Sequence, residues 1–119
     1  MILVVDGANV VGARPDGWWK DRAGAARRLH EQLLVADVPG DEIVLVLEGA
    51  AKAGVLAGRD AHVRVVHARG DGDSEIVKQA HAAAATGAEV IVVTADRLLS
   101  VRVAKAATTR GPSWLLDRL

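Results

Sequence analysis

Cysteine, phenylalanine and tyrosine are absent from this 119-residue sequence, and its only aromatic residues are three tryptophans. Without cysteine the chain has no disulfide, no thiolate zinc site and no cysteine nucleophile, so we expect a reducing, cytoplasmic setting. No segment approaches the roughly 18 consecutive apolar residues of a membrane span. The apolar run after Met1 also lacks the basic region that begins a signal peptide. We therefore expect no membrane partner.

Excess charge of either sign is absent as well, because 15 Lys and Arg balance 15 Asp and Glu. Overall charge thus gives no support for a nucleic-acid partner, which would need a local basic surface. Half of the residues (50%) are hydrophobic, which is enough for one core, and we expect a single domain over residues 1–119. Val, Leu, Ile and Ala must build that core, and these types favour buried strands and closely packed helices.

Short apolar runs alternate with longer amphipathic stretches along the chain. The apolar runs predict strands at 2–6, 42–49, 62–70 and 89–97. The longer stretches predict helices at 21–38 and 70–87, then a short helix or helix-to-strand segment at 97–107 and a terminal helix at 111–119. Continuous hydrophobic strands separated by helices are typical of parallel βαβ units. We expect an α/β three-layer sandwich with a mainly parallel sheet of four to five strands, in the order 3-2-1-4-5.

Acidic residues follow three of the predicted strands, namely Asp6, Glu48 and Asp96. With strand 1 between strands 2 and 4, Asp6 would lie between the other two acids at the topological switch point, where open α/β sheets bind ligands. Asp71 and Asp73 begin the helix that starts at the same edge. Carboxylates this close repel by roughly 3 kcal/mol per pair at an effective dielectric near 20. The group must therefore hold protons or bind cations.

Oxygen ligands with no His or Cys nearby suit Mg²⁺ or Mn²⁺, and two such ions can promote phosphodiester cleavage. Each acid also has a purely structural interpretation as a cap or turn residue, and Asp73 is a candidate N-cap of its own helix. Asn9 can orient a metal-bound water or contact a phosphate, or it can simply form a turn. Thr94 can hydrogen-bond to a carboxylate or a phosphate, although a β-branched strand residue needs no such role.

Basic and aromatic residues are interleaved between the first acid and the first long helix. Trp18 and Trp19 lie among Arg14, Lys20, Arg22, Arg27 and Arg28. This pattern suits a single-stranded nucleic acid, with phosphates on arginine and bases on indole. The alternative is a tryptophan that covers the core beside a solvated helix face. A second basic rim could come from Arg64, Arg69, Arg97 and Arg102.

The segments ILVVDGANVVG, DGDSEI and VIVVTADR resemble the NYN domain family, a branch of the PIN-like nucleases, and are most similar to its YacP-like subgroup in bacteria. The resemblance extends from Ile2 to about Leu116. It implies a PIN-like fold and a metal-dependent endoribonuclease site with Mg²⁺ or Mn²⁺ as cofactor and RNA as partner. By position it implies Asp6 as central ligand, Asn9 as its companion and Asp73 and Asp96 as further catalytic acids. Arg97 would contact a phosphate.

Two positions depart from the family pattern. Position 8 is Ala where an aromatic residue is common, and position 48 is Glu where Asp is expected, so the metal geometry at Glu48 is less defined. Asp71 competes with Asp73 for the middle role. These departures keep an RNA-binding module that does not cut as the alternative function. The sequence leaves the oligomeric state open, a homodimer included.

Other phosphate-handling and hydrolytic enzymes fit the sequence less well. A haloacid-dehalogenase-type site would need an Asp at position 8, which is Ala. A phosphate-binding loop ending in Lys-Ser or Lys-Thr is missing, GDGD is too short for a dinucleotide fingerprint, and no Gly-x-Ser-x-Gly elbow is present. A receiver-like domain would need a lysine late in the sheet, for which Lys105 is poorly placed.

Overall fold

Six strands form one sheet in the computed structural model, which describes all 119 residues. The strands are β1 (Ile2–Asp6), β2 (Glu42–Leu47), β3 (Gly58–Asp60), β4 (Val63–His67), β5 (Val90–Val93) and β6 (Thr108–Arg110). Their order is β3-β4-β2-β1-β5-β6, and every neighbouring pair is parallel except β3 with β4. The predicted order 3-2-1-4-5 corresponds to β4-β2-β1-β5-β6 and is confirmed.

Helices cover both faces of the sheet, as the three-layer prediction requires. They are α1 (Gly7–Gly12), α2 (Arg22–Val35), α3 (Gly72–Ala85), α4 (Arg97–Val103) and α5 (Pro112–Leu116). Short 3-10 segments at Trp18–Lys20 and Gly49–Gly54 complete the connections. None of the helices combines the length and the apolar character that crossing a bilayer would demand.

The strands contribute alternate side chains to two separate cores. Leu3 and Val5 face one core, together with Leu29 and Leu33 of α2, whereas Val4 faces the other. The second core contains α3 and α4, with Ile76, Ala80, Leu99 and Val103. Burying a Leu or Val side chain stabilises a fold by roughly 1.5–3 kcal/mol. The continuous hydrophobic runs noted in the sequence are therefore explained by burial on both faces.

The sequence analysis missed the short helix α1 and one strand, β3. Strand β3 contains Gly58, Arg59 and Asp60, all of them exposed, and it pairs antiparallel with β4 at the edge of the sheet. Ala61, with φ of 52°, forms the tight connection between the two strands. A three-residue edge strand buries no apolar side chain, so hydrophobic patterning had nothing to detect.

Candidate active site

The carboxyl ends of the parallel strands and the first turns of α1, α3 and α4 meet at one edge of the sheet. The chain moves from β1 outward through β2 to β4, and then returns to place β5 on the other side of β1. This reversal is the topological switch point of the sheet. Asp6 ends β1, and Thr94 directly follows β5 beside it. The edge therefore carries the candidate site.

Asp6 is the most deeply buried acid of the protein, with 6% of its surface exposed. It is the N-cap of α1, where its Oδ1 accepts a hydrogen bond from the Asn9 backbone N–H at 3.3 Å. Its Oδ2 accepts from the Thr94 hydroxyl at 2.9 Å. Burial raises the pKa of Asp6 above its usual value, and repulsion from Asp73 and Glu48 adds to the rise, while the two hydrogen bonds oppose it.

Thr94 connects two of the acids. Its hydroxyl donates to Asp6 and accepts from the Asp96 backbone N–H at 3.1 Å. The Asp96 side chain in turn caps α4, accepting from the Leu99 backbone N–H at 3.1 Å through Oδ1. Thr94 itself is 2% exposed. The hydrogen bond to a carboxylate that the sequence suggested for Thr94 is therefore present, and it fixes Asp6 relative to the start of α4.

Asn9 lies across the same junction, between α1 and the segment after β5. Its Oδ1 accepts a hydrogen bond from the Ala95 backbone N–H at 2.8 Å. With that oxygen occupied, the amide Nδ2 is the group left to donate to a ligand. Asn9 and Ala95 also line an open groove of about 520 Å³. The side chain thus both joins two loops and faces a space that a substrate can enter.

Asp71 and Asp73, the two acids at the start of α3, have roles that differ from the predicted ones. The N-cap is Asp71, not Asp73: both Asp71 oxygens accept from Ser74, at 2.7 Å from its N–H and 3.2 Å from its hydroxyl. These bonds lower the pKa of Asp71, an exposed group. Asp73 lies in the first turn, where partial burial and then repulsion from Asp96, Asp71 and Glu48 raise its pKa. The prediction of Asp73 as the cap was therefore wrong.

Glu48 follows β2 and contacts the start of α3. Its Oε2 accepts a hydrogen bond from the Gly72 backbone N–H at 2.7 Å. A Cβ on Gly72 would lie 3.0 Å from the Glu48 carboxyl carbon, so glycine at position 72 allows this close approach. Glu48 raises the pKa of both Asp6 and Asp73 through its charge. It therefore belongs to the same electrostatic group despite its longer side chain.

The four acids of the site have the right chemistry for a hard divalent cation, but they are not close enough together to form a complete metal site. Asp6, Glu48, Asp73 and Asp96 offer oxygen ligands, which suit Mg²⁺ and Mn²⁺. No three His, Cys, Asp or Glu side chains lie close enough together to hold a metal ion as a group. Mg²⁺ commonly keeps several waters and takes only one or two carboxylates plus substrate phosphates. An ion at this edge would therefore have to be held by one or two of these carboxylates together with water or substrate.

The aromatic loop lies next to the acids. Trp18 is half-buried and makes an edge-to-face contact with Trp19, with 6.0 Å between the ring centroids. The Arg22 guanidinium lies over the Trp18 ring, 5.3 Å from its centroid, within the range of a cation–π contact. Trp19 is 58% exposed, so it is not required by the core. Arg14, which belongs to the same basic cluster and is predicted to bind substrate, is partly exposed.

The predicted second basic rim is partly correct. Arg102 is close enough for its charge to oppose the rise in the pKa of Asp73 and to add to the lowering of the pKa of Asp71 by Ser74. Arg97 begins α4 directly after Asp96 and is exposed. Arg64, however, bonds Glu42 and Gln79 near the amino ends of the strands, so it lies away from the site and was wrongly included. The sequence did contain a signal for this, because Arg64 lies at the start of its strand, and the site forms where the strands end.

Comparison with known proteins supports the fold. No family model matches the sequence, and no curated protein matches it either. Among solved structures, the chain is similar to Rae1 (YacP) from Bacillus subtilis, with 22% identity and a TM-score of 0.72 over 98% of this chain and 72% of that one. The W164L mutant of the same protein gives 21% identity and a TM-score of 0.64 with the same coverage. The three-layer α/β fold expected from the sequence is therefore confirmed, and it is similar to the fold of YacP.

Proposed function

We propose that this protein is a Mg²⁺- or Mn²⁺-dependent endoribonuclease that cuts single-stranded RNA at the edge formed by Asp6, Asp73 and Asp96. One observation supports the proposal above the others. Asp6 is a carboxylate at the switch point of a YacP-like fold; burial raises its pKa, and the charges of Asp73 and Glu48 add to the rise. A bound cation would stabilise the ionised form of such a carboxylate by offsetting its charge. The YacP likeness adds the expectation of RNA as substrate.

The catalytic roles follow from the free lone pairs of the acids. A carboxylate oxygen that accepts one hydrogen bond retains a second lone pair, so Asp6 and Asp96 can still be ligands. A bound divalent ion would supply the Lewis acidity that activates water and neutralises the leaving oxygen. Asp73 has no hydrogen-bonded partner, and its raised pKa brings its carboxylate closer to the working pH. It is therefore suited to accept the proton of the attacking water.

Side chains around the acids would bind the phosphates of the substrate and position it. Asn9 Nδ2 is free to donate to a phosphate oxygen, because Oδ1 is held by Ala95. Arg97, exposed at the start of α4, can pair with the same or a neighbouring phosphate. We assign Asp71 a structural role, since both of its oxygens serve Ser74. Glu48 contributes negative charge to the cluster, and its side chain lies toward a neighbouring cavity.

A cleavage assay on end-labelled RNA with added Mn²⁺ tests the proposal. We expect Asp6→Asn to lower the rate by at least about 100-fold, because the charge that a metal ion would need is removed. Asp60→Asn is the matched control, since Asp60 is exposed on β3 at the edge of the sheet. Equal cleavage by the wild-type protein and Asp6→Asn would refute the catalytic assignment.

The second candidate function is an RNA-binding module that does not cut. The absence of three acids arranged as a ready metal site favours it. Calorimetric titration with Mn²⁺ separates the two functions. A nuclease would bind the ion in a way that Asp96→Asn weakens, because Asp96 is a proposed ligand. A binding module would retain RNA affinity with no such metal dependence.

A further inference from the structure

A cavity of about 410 Å³ lies beside the acidic edge, between α1, the Trp18–Lys20 segment and the end of β2. This volume is within the roughly 300–1,000 Å³ that small-ligand pockets occupy. The cavity is lined by Trp18, Arg22 and Glu48, with Gly7 and Ala8 on the side of the acids. Gly7 directly follows Asp6, so a ligand in the cavity would lie within one residue of the proposed centre.

We propose that this cavity is a nucleobase subsite, in which one base of the RNA stacks on Trp18 and donates its exocyclic amino group to Glu48. The inference depends on the proposed function for its substrate class. It assigns Glu48 to base recognition, in place of the direct metal ligation expected from the sequence.

The walls of the cavity match the parts of a nucleotide. Trp18 supplies a flat aromatic ring, and stacking of a base on such a ring contributes substantially to the affinity for single-stranded nucleic acid. Arg22 lies over one side of the Trp18 ring and is exposed, so its guanidinium can reach a phosphate of a nucleotide whose base stacks on the opposite side. Glycine and alanine fill most of the remaining wall, including Gly7 and Gly49, which leaves the space open. An aromatic platform with one cation and one anion suits a base better than an aliphatic ligand.

Glu48 supplies the polar recognition. Its Oε2 is held by the Gly72 N–H at 2.7 Å, which orients the carboxylate and leaves Oε1 as an acceptor. A carboxylate accepts from an amino group, as in the pairing of Glu or Asp with cytosine N4. Uracil presents a carbonyl oxygen at that position, which the carboxylate would repel. The subsite should therefore prefer cytosine over uracil, two bases of similar size.

Ala8 connects the cavity with the groove at Asn9. It is exposed and lines both spaces, so its small side chain leaves a passage between them. A single strand could place its backbone in the groove beside Asn9 and its base in the cavity beside Trp18. A larger side chain at position 8 would narrow this passage.

Binding of cytidine and uridine pentaribonucleotides, measured by calorimetry at low salt in EDTA, tests the subsite without any cleavage. We expect the cytidine oligomer to bind about five-fold or more tightly than the uridine oligomer. Trp18→Leu should weaken cytidine binding about five-fold or more, while Trp18→Phe retains a stacking ring and most of the affinity. Glu48→Gln should abolish the preference, since an amide both donates and accepts. Ala8→Leu should weaken binding without touching Trp18 or Glu48.

The outcomes separate this inference from the proposed nuclease activity. Equal affinities for the two oligomers, or equal binding by the Leu and Phe variants at position 18, would overturn the subsite even if the protein cuts RNA. Conversely, the expected pattern of affinities in EDTA would establish the subsite even if no cleavage is found with Mn²⁺. Thermal unfolding of each variant confirms that it remains folded before its affinity is compared.

Discussion

At the scale of single residues, Thr94 has the widest influence on the site. Its hydroxyl joins the buried Asp6 carboxylate to the backbone at Asp96, and it is buried itself. Removing it leaves a buried carboxylate without one of its two hydrogen-bond donors. The loss of this hydrogen bond lowers the stability of the fold strongly, because the carboxylate that loses its donor is charged.

We predict that Thr94→Val lowers the free energy of unfolding by about 1–3 kcal/mol relative to Thr94→Ser, which keeps the hydroxyl. The difference should depend on pH. Because burial raises the pKa of Asp6 in the folded protein, ionising Asp6 costs stability as the pH rises through that raised pKa. The Thr94 hydroxyl favours the ionised form, so its removal raises the pKa further and enlarges the cost.

The two position-94 variants should therefore be closest in stability at acidic pH, where Asp6 is protonated in both, and diverge toward neutral pH. Chemical denaturation in EDTA at several pH values measures the difference. A constant gap at all pH values would show that Thr94 acts through packing or through its bond to the Asp96 N–H, and not through the Asp6 carboxylate.

At the scale of elements, the acidic edge is built by the way that helices begin. Asp6, Asp71 and Asp96 are the N-caps of α1, α3 and α4, respectively. Capping satisfies backbone N–H groups that a helix leaves unpaired. Capping and a role in the site are therefore compatible for Asp6 and Asp96, since both place a carboxylate at the carboxyl edge of the sheet.

How far the sequence could predict these elements depends on what each one buries. Strands β1, β2, β4 and β5 carry runs of Val, Leu and Ile, so their positions and order followed from patterning. Strand β3 buries nothing and was missed. The convergence of acids at one edge followed from topology. Topology could not predict whether Asp71 or Asp73 caps α3, because the two positions differ only by a rotation of about half a helical turn.

The junction between α1 and β2 depends on a close backbone approach. A Cβ on Gly7 would lie 2.6 Å from the Val46 carbonyl oxygen and 2.9 Å from Leu47 Cδ2. At Gly12, in the same helix, the nearest atom would be Trp18 Cζ2 at an ordinary 3.8 Å. The two glycines therefore make a matched pair for testing how tightly α1 is held.

We predict that Gly7→Ala destabilises the protein by more than about 1 kcal/mol, because backbone atoms cannot move aside as a flexible side chain can. Gly12→Ala should be neutral or stabilise by up to about 1 kcal/mol, as expected for glycine to alanine in a helix. Urea denaturation of both variants measures this. Similar effects of the two substitutions would contradict the close approach of α1 to β2.

At the scale of the whole molecule, a neutral chain separates its charges by position. Fifteen basic residues balance fifteen acidic ones, yet the acids of the site gather at the carboxyl edge of the sheet, with Arg97 and Arg102 beside them. At the amino end, Arg59 and Arg64 pair with Glu42. Attraction of RNA by this protein should therefore come from a few local cations and not from net charge.

We predict that RNA affinity falls with salt, with a slope of log K against log salt concentration of about −2 to −3, as expected for three or four phosphate contacts by single-stranded RNA. Arg97→Ala should make the slope less negative by about 0.7, the share of one contact. Arg59→Ala removes the same charge from the opposite end of the sheet and should leave the slope unchanged. Fluorescence anisotropy over a series of salt concentrations gives all three slopes. If Arg59→Ala changed the slope as much as Arg97→Ala, RNA would contact cations over the whole surface. The carboxyl edge of the sheet would then not be the specific binding site.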